Sequence, residues 1–353
     1  MAKVLVLPEA ERNDTGNDSA SEEDEDGLSM VTMDSIQHKD GDDEEGEQEE
    51  KVSFDNQMEI LMCRKIICLR EEDRLADVPG DIVAEFGAML TTRQRRLLFS
   101  FLRRVPMGVL LLLGPAGTGK SFAIAAVIIF KIAAGRKVSV IAPSNVAAIA
   151  IADKVKTLDQ HNRLLLRPWS ACEEEAAIMR YVHGSKAEEW KHIVSSPWRG
   201  HDRFIPELSV AEAVLKMCGV LKTTNGKLIS LREHNSELAE ILSTQPDLRT
   251  DSMNREFRRL ARRACKAVMS ITDASFSTSA PALSDLVKKF TKSAHDAVVE
   301  EAGNAVEAQV VNSWQGDHKT ITFAGDFKQL PPAALSKDVR HALAGAGSIL
   351  TST

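Results

Sequence analysis

Val109-Leu110-Leu111-Leu112-Leu113-Gly114-Pro115-Ala116-Gly117-Thr118-Gly119-Lys120-Ser121 is the stretch on which the fold turns. Five apolar residues run directly into a glycine-rich octapeptide, and residues 122–134 continue as an apolar helical pattern. Strand, glycine loop and helix in that order make a phosphate-binding loop. The glycines let the backbone curl so that successive N–H groups face an anion, and the positive end of the following helix faces the same point. Lys120 sits where an ammonium reaches β- and γ-phosphates, and Ser121 where a hydroxyl ligates Mg²⁺. A glycine-rich surface turn would have no need of Lys-Ser at this spacing.

Working outward, residues 137–141 read as the next parallel strand, and residues 297–299 and 320–324 as two more. Thr91 or Thr92 is placed to cap a helix through Arg104, with Leu97, Leu98, Phe101 and Leu102 on one face. Residues 252–266 read as a helix and 267–271 as a strand. Residues 157–250 carry helical periodicity interrupted by Pro168, Pro197, Pro206 and Asn225-Gly226, the pattern of a helical insertion. The expected fold is α/β: a P-loop NTPase with a RecA-like parallel sheet, helices on both faces and that insertion. The expected organisation is an acidic disordered tail over 1–50, an N-terminal extension of undefined structure over 51–90, and the ATP-binding lobe over 91–353.

Charge separates the tail from the rest. Residues 1–50 hold 18 acidic and 3 basic side chains, so the overall −7 conceals a basic remainder. The tail is too poor in apolar residues to offset its ordering entropy. Ser19 and Ser21 lie beside its acidic run. The five cysteines, Cys63, Cys68, Cys172, Cys218 and Cys265, include no CxxC pair, which argues against a zinc site. No stretch approaches the ~20 apolar residues of a membrane span, and the short run at Val4–Leu7 ends at Pro8, so the expectation is an intracellular chain with no membrane partner. His161, His183, His192 and His201 show no ligand spacing. A guanine-reading Asn-Lys-x-Asp motif is absent, which turns the reading away from GTP.

Three further motifs carry chemistry. Ala297-Val298-Val299-Glu300-Glu301-Ala302 is an apolar strand ending in two carboxylates, where Glu300 suits the Mg²⁺ shell and Glu301 the base that orients and deprotonates an attacking water. Gly325-Asp326-Phe327-Lys328-Gln329-Leu330-Pro331-Pro332 places an Asp and a Gln in a stiff loop after another strand. Asp326 is a nucleotide-binding candidate there, and Gln329 a sensor of the γ-phosphate. Pro143, Ser144 and Asn145 follow the strand after the P-loop helix and suit a sugar–phosphate backbone. Arg258, Arg259, Arg262, Arg263 and Lys266 share one helix and offer charge to further phosphates, with an ordinary solvated face as the equal alternative. Trp169, Trp190 and Trp198 fall in the insertion and suit a core as well as base stacking.

In this order, GPAGTGKS, APSNVAA, VVEEAGNA and GDFKQLPP resemble motifs I, Ia, II and III of superfamily 1 helicases. They come closest to the branch that contains the nonsense-mediated-decay RNA helicase and senataxin. The resemblance spans about residues 90–335 and implies ATP and Mg²⁺ as cofactors, single-stranded RNA or DNA as partner, and hydrolase activity. It also implies that Gln94 reads adenine and that Ser277-Thr278-Ser279 forms a strand-binding motif. Motif II in that family begins with Asp, whereas this chain has Glu300. The family's second RecA-like lobe has no counterpart in these residues, so two expectations stand. One is an ATP-hydrolysing lobe completed by a lobe from another chain. The other is a truncated or degenerate nucleotide-dependent nucleic-acid-binding module without turnover.

Overall fold

The structure, a computed structural model, describes residues 3–6, 75–103, 105, 108–115, 117–183, 206–244, 250–306, 309–310, 318 and 320–326. In chain order the elements are β1 (Lys3–Val6), α1 (Gly80–Met89), α2 (Thr92–Arg103), β2 (Val109–Leu113), α3 (Lys120–Ala133), β3 (Val138–Ala142), α4 (Asn145–Leu158) and β4 (Leu165–Leu166). There follow α5 (Ala171–His183), α6 (Val210–Met217), α7 (Gly226–Ser230), α8 (Ser236–Ser243), α9 (Asp251–Ile271), β5 (Ala274–Thr278), α10 (Ser279–Ala282), α11 (Lys288–Ser293), β6 (Asp296–Val299) and β7 (Thr320–Gly325). The seven strands form one sheet in the order β1-β2-β7-β6-β3-β5-β4, with every pair parallel.

The order explains the two layers of helices. From β2 through β3 to β4 the chain moves one way across the sheet, and from β4 back through β5 and β6 to β7 it moves the other. Right-handed crossovers therefore put α3 and α4 on one face and α9 and α11 on the opposite face. The strand β4 shows the division residue by residue. Leu165 joins the core around α3, while its neighbours Leu164 and Leu166 join the core around α9, as the alternation of a strand requires.

The helix α3 is buried all round from Ala123 to Ile132, which is why its sequence lacks a polar stripe. Phe130 anchors it, with the ring of Phe86 edge-on at 5.5 Å and that of Phe99 tilted at 6.0 Å. The fully buried rings, Phe86 and Phe130, contribute about 1.5–3 kcal/mol each. At its far end Lys131 is buried and donates to the hydroxyls of Thr320 (3.0 Å) and Thr322 (3.3 Å), with Asp296 at 3.6 Å. Burial pushes the Lys131 ammonium below its ordinary range, against the pull of Asp296. This cluster fixes the P-loop helix relative to β6 and β7, the strands that deliver the acidic residues.

The second core lies on the α9 face of the sheet and joins residues of the insertion to α9 and to Leu286, Val287 and Phe290 around α11. Leu166, Ile178, Val214, Leu215, Leu238, Phe257, Leu260, Cys265 and Val268 close it without help from α3. The helix α9, which follows the expected insertion, packs into this same core. Residues 267–271, read as a strand, are the last turns of α9, and the strand is Ala274–Thr278. The run Phe257, Leu260, Ala261, Ala264, Cys265, Val268, Met269 keeps a helical period that outweighs the β-branched residues at its end. The two-residue β4 and the helix α1 had no sequence signal strong enough to place them. Lys3–Val6, counted with the tail, pairs with Lys3 opposite Leu110 and Val6 opposite Leu113 at the sheet edge. The tail's acidic segment, Ser19, Ser21, Cys63 and Cys68 lie outside the described residues.

Candidate functional site

The loop 114–119 leaves the end of β2, where Gly114 N donates to Gly325 O (3.2 Å) and ties the loop's base to the end of β7. Gly117 and Gly119 have φ of +82° and +83°, a conformation that costs any side chain. Gly119 is doubly constrained, because a Cβ there would stand 2.8 Å from Nε2 of Gln94. Thr118 is buried and its hydroxyl donates to Pro115 O (2.8 Å), closing the loop on itself. Lys120 opens α3 and donates from Nζ to Gly114 O (2.5 Å) and Pro115 O (3.2 Å), so its ammonium folds back over the loop. Ser121 is exposed at the helix start.

Gln94 reaches this loop from α2. Thr91 and Gln94 form a reciprocal cap: Gln94 N donates to Thr91 Oγ1 (3.3 Å) and Thr91 N to Gln94 Oε1 (3.1 Å). That cap orients the amide, whose Nε2 donates to Thr118 O at 3.3 Å.

One cavity of about 480 Å³ is lined by Pro115, Gly117, Gly119, Lys120, Ser121, Phe122, Lys154, Glu300, Glu301, Gly325 and Asp326. The structure thus brings together the loop, both carboxylates after β6 and the aspartate after β7. Glu300 is 7% exposed, and Oε2 has no hydrogen-bond partner among the described residues. Burial, with the neighbouring Glu301, pushes its carboxyl up to about 8, while Lys120 pulls the other way. A buried acid held neutral beside an exposed hydroxyl on the same cavity fits a divalent cation, which would supply the missing charge. Among the described residues no group of three or more His, Cys, Asp or Glu forms a preformed metal cage.

Glu301 departs from β6 with φ +52° and ψ +41°, one of two non-glycine residues of positive φ among those described. The left-handed backbone costs about 1–2 kcal/mol and turns the chain at the cavity's edge. Asp326 is buried at the end of β7. Ala116 and Gln329 lie outside the described residues, as do Trp190 and Trp198. Two cavity residues escaped the sequence reading. Phe122 follows Ser121 directly, and Lys154 comes from α4 with its Nζ 5.8 Å from the Phe122 ring centroid; no motif marks either.

The residues expected to meet a strand lie at the ends of β3 and β5, which are neighbours in the sheet. Ser144 caps α4, its hydroxyl accepting from Ala147 N (3.1 Å), and Asn145 Oδ1 accepts from Arg167 Nη2 (2.8 Å). Pro143 and Thr278 are partly exposed, whereas Ser277 is buried within β5 opposite Ile141. On α9, Arg259 pairs with Glu256 and Arg262 with Glu175. Arg258, Arg263 and Lys266 stay exposed.

Among the described residues no helix is long and apolar enough to cross a membrane. No curated protein matches the chain. A family model described as an AAA domain matches residues 89–337, a span that contains the loop, the paired glutamates and the cavity.

Proposed function

The chain belongs to this AAA-domain family, in the superfamily 1 helicase branch of the nonsense-mediated-decay helicase and senataxin, and on that footing we propose that it binds ATP with Mg²⁺ and hydrolyses it in response to single-stranded RNA or DNA. One observation carries the reading: the cavity that joins Lys120 and the glycine loop to Glu300, Glu301 and Asp326. Its size lies in the range of small-ligand sites.

In this reading the loop's N–H groups hold the β-phosphate, and Lys120 gives up Gly114 O and Pro115 O to meet the β- and γ-oxygens. Gln94, already oriented by its cap, faces the base. Mg²⁺, when bound by Ser121 and Glu300, would supply countercharge to the phosphate oxygens. Glu301 orients a water in line with the γ-phosphorus and takes its proton as the new P–O bond forms and the bond to the β-phosphate oxygen breaks. Gln329 and Asp326 report the γ-phosphate to the strand-facing loops, and a second RecA-like lobe would complete the charge neutralisation.

A second reading, nucleotide-gated binding without turnover, is favoured by Glu300 standing where the family has Asp, with a buried oxygen that has no hydrogen-bond partner among the described residues. Steady-state ATP hydrolysis by the full chain, with and without single-stranded RNA and DNA and beside Lys120→Ala, separates them. Strand-stimulated turnover lost in the variant supports hydrolysis. ATP binding without turnover supports the gated module, and no ATP binding removes both.

A further inference from the structure

Beyond the ends of β3 and β5 the sheet continues to β4, whose chain leaves as Arg167-Pro168-Trp169-Ser170 on the edge to which the strand-facing loops belong. Arg167 is buried, and its guanidinium carbon stands 3.8 Å from the centroid of the Trp169 ring. The same guanidinium donates to Asn145 Oδ1, so the stacked pair is tied to the turn after β3. We propose that Trp169, backed by Arg167, is a nucleobase-stacking platform that extends the strand-binding surface from the ends of β3 and β5 onto β4.

The platform is held from several sides. Arg167 N donates to Leu208 O (2.6 Å), and Trp169 N donates to Oε1 of the buried Glu174 (2.9 Å). Ser170 and Glu173 then form a reciprocal cap that opens α5. A short irregular segment pinned in this way keeps its indole oriented without regular structure. The indole itself is only partly buried, in contrast to the fully buried Phe86, Phe130, Phe257 and Phe276 of the two cores. An arginine spread over one face of a partly exposed indole stiffens the ring and adds positive potential beside it. Both properties favour an unpaired base whose phosphates lie nearby. Sequence alone allowed Trp169 to be core or stacking residue. Its link through Arg167 to Asn145 and its partial exposure favour stacking.

The inference rests on the strand-binding half of the proposed function, and the test keeps the two apart. Fluorescence anisotropy of labelled 12-nucleotide oligouridine and its deoxy counterpart would be measured with the full chain. Trp169→Leu fills the space but offers no π-face, and Trp169→Phe keeps one. The expected result is about tenfold weaker binding for Trp169→Leu and near-wild-type binding for Trp169→Phe. The salt slope should be unchanged, because no phosphate contact is lost. MgATP affinity and the urea-unfolding midpoint should also be unchanged in both variants, the first reporting an intact nucleotide pocket and the second an intact fold around Trp169. A loss confined to the ribo- or the deoxy-oligonucleotide supports the platform and names its strand. Equal binding by wild type and Trp169→Leu overturns the platform and leaves the proposed function standing. Absence of binding by the wild type overturns both.

Discussion

Glu300 and Glu174 are both buried acids, and their surroundings teach different lessons. In the pocket, Glu300 has an oxygen with no hydrogen-bond partner among the described residues, a carboxyl raised to about 8 and an acidic neighbour in Glu301. In the helical insertion, Glu174 is 1% exposed with its carboxyl raised to about 7, yet both oxygens accept backbone N–H groups, Oε1 from Trp169 and Oε2 from Ala211. Burial and a raised pKa are common to both, so neither marks chemistry. The mark is the unsatisfied oxygen facing a cavity, because a buried polar atom without a partner costs about 1–3 kcal/mol unless a ligand supplies one. Glu174 is mortar between β4, α5 and α6. In the proposed function Glu300 is the acid that would meet a cation.

The sharpest way to break this contrast is through turnover. Glu301→Gln should leave MgATP affinity within about twofold and reduce hydrolysis by about 10²–10⁴, the range of a lost general base. Single-turnover kinetics beside a binding titration checks it, and equal turnover would move the base to another residue. Lys120→Ala comes next. It should weaken MgATP by about 100-fold or more, since one charge-assisted contact to phosphate contributes up to about 3 kcal/mol. The unfolding midpoint should hardly move, because among the described residues the ammonium donates to two loop carbonyls, Gly114 O and Pro115 O. Unchanged affinity by calorimetry would end the P-loop assignment.

Much of the pocket was legible in the sequence because its chemistry demands fixed residue types at fixed spacing. The loop, the paired glutamates and Asp326 come from three strand ends that the alternation of β and α elements brings side by side. What could not be read is equally instructive. Lys154 and Phe122 enter the cavity by helix-to-helix packing, which leaves no local pattern. The end of α9 was misread because Val268 and Ile271 have β-branched side chains, while the helical spacing from Phe257 onward decides the structure. The two-residue β4 is too short to carry a period at all, yet it is the pivot on which the two cores divide. Asn145 and Ser144 suit strand contacts by their chemistry, and the structure shows each as an acceptor within the protein, Ser144 from Ala147 N and Asn145 from Arg167.

In the insertion the same logic predicts effects on stability with none on the nucleotide. Glu174→Ala would strand the N–H groups of Trp169 and Ala211 in the interior and should cost about 2–4 kcal/mol in urea unfolding. MgATP affinity should stay unchanged if the two cores are independent, and a coupled loss of affinity would show that the insertion supports the pocket.

The smallest effect is the pH dependence that Glu174 imposes, and its sign follows from burial. The folded-state pKa of about 7 lies above the ordinary value of 4.5, so the folded chain holds a proton that the unfolded chain releases across that window. Stability from this group is therefore fully present below about pH 4.5 and is lost as pH rises towards 7. A shift of this size is worth about 3 kcal/mol at most, at 1.36 kcal/mol per unit. Glu300 adds a trend of the same sign, so wild type alone cannot separate the two groups. The difference between wild type and Glu174→Gln, measured by urea unfolding from pH 4.5 to 8, cancels the contribution of Glu300. That difference should shrink as pH rises and level off above about 7. A flat difference would mean that the backbone N–H groups around Glu174 hold its carboxylate charged. The insertion would then contain a satisfied ion, and Glu300 alone would be the buried acid kept neutral.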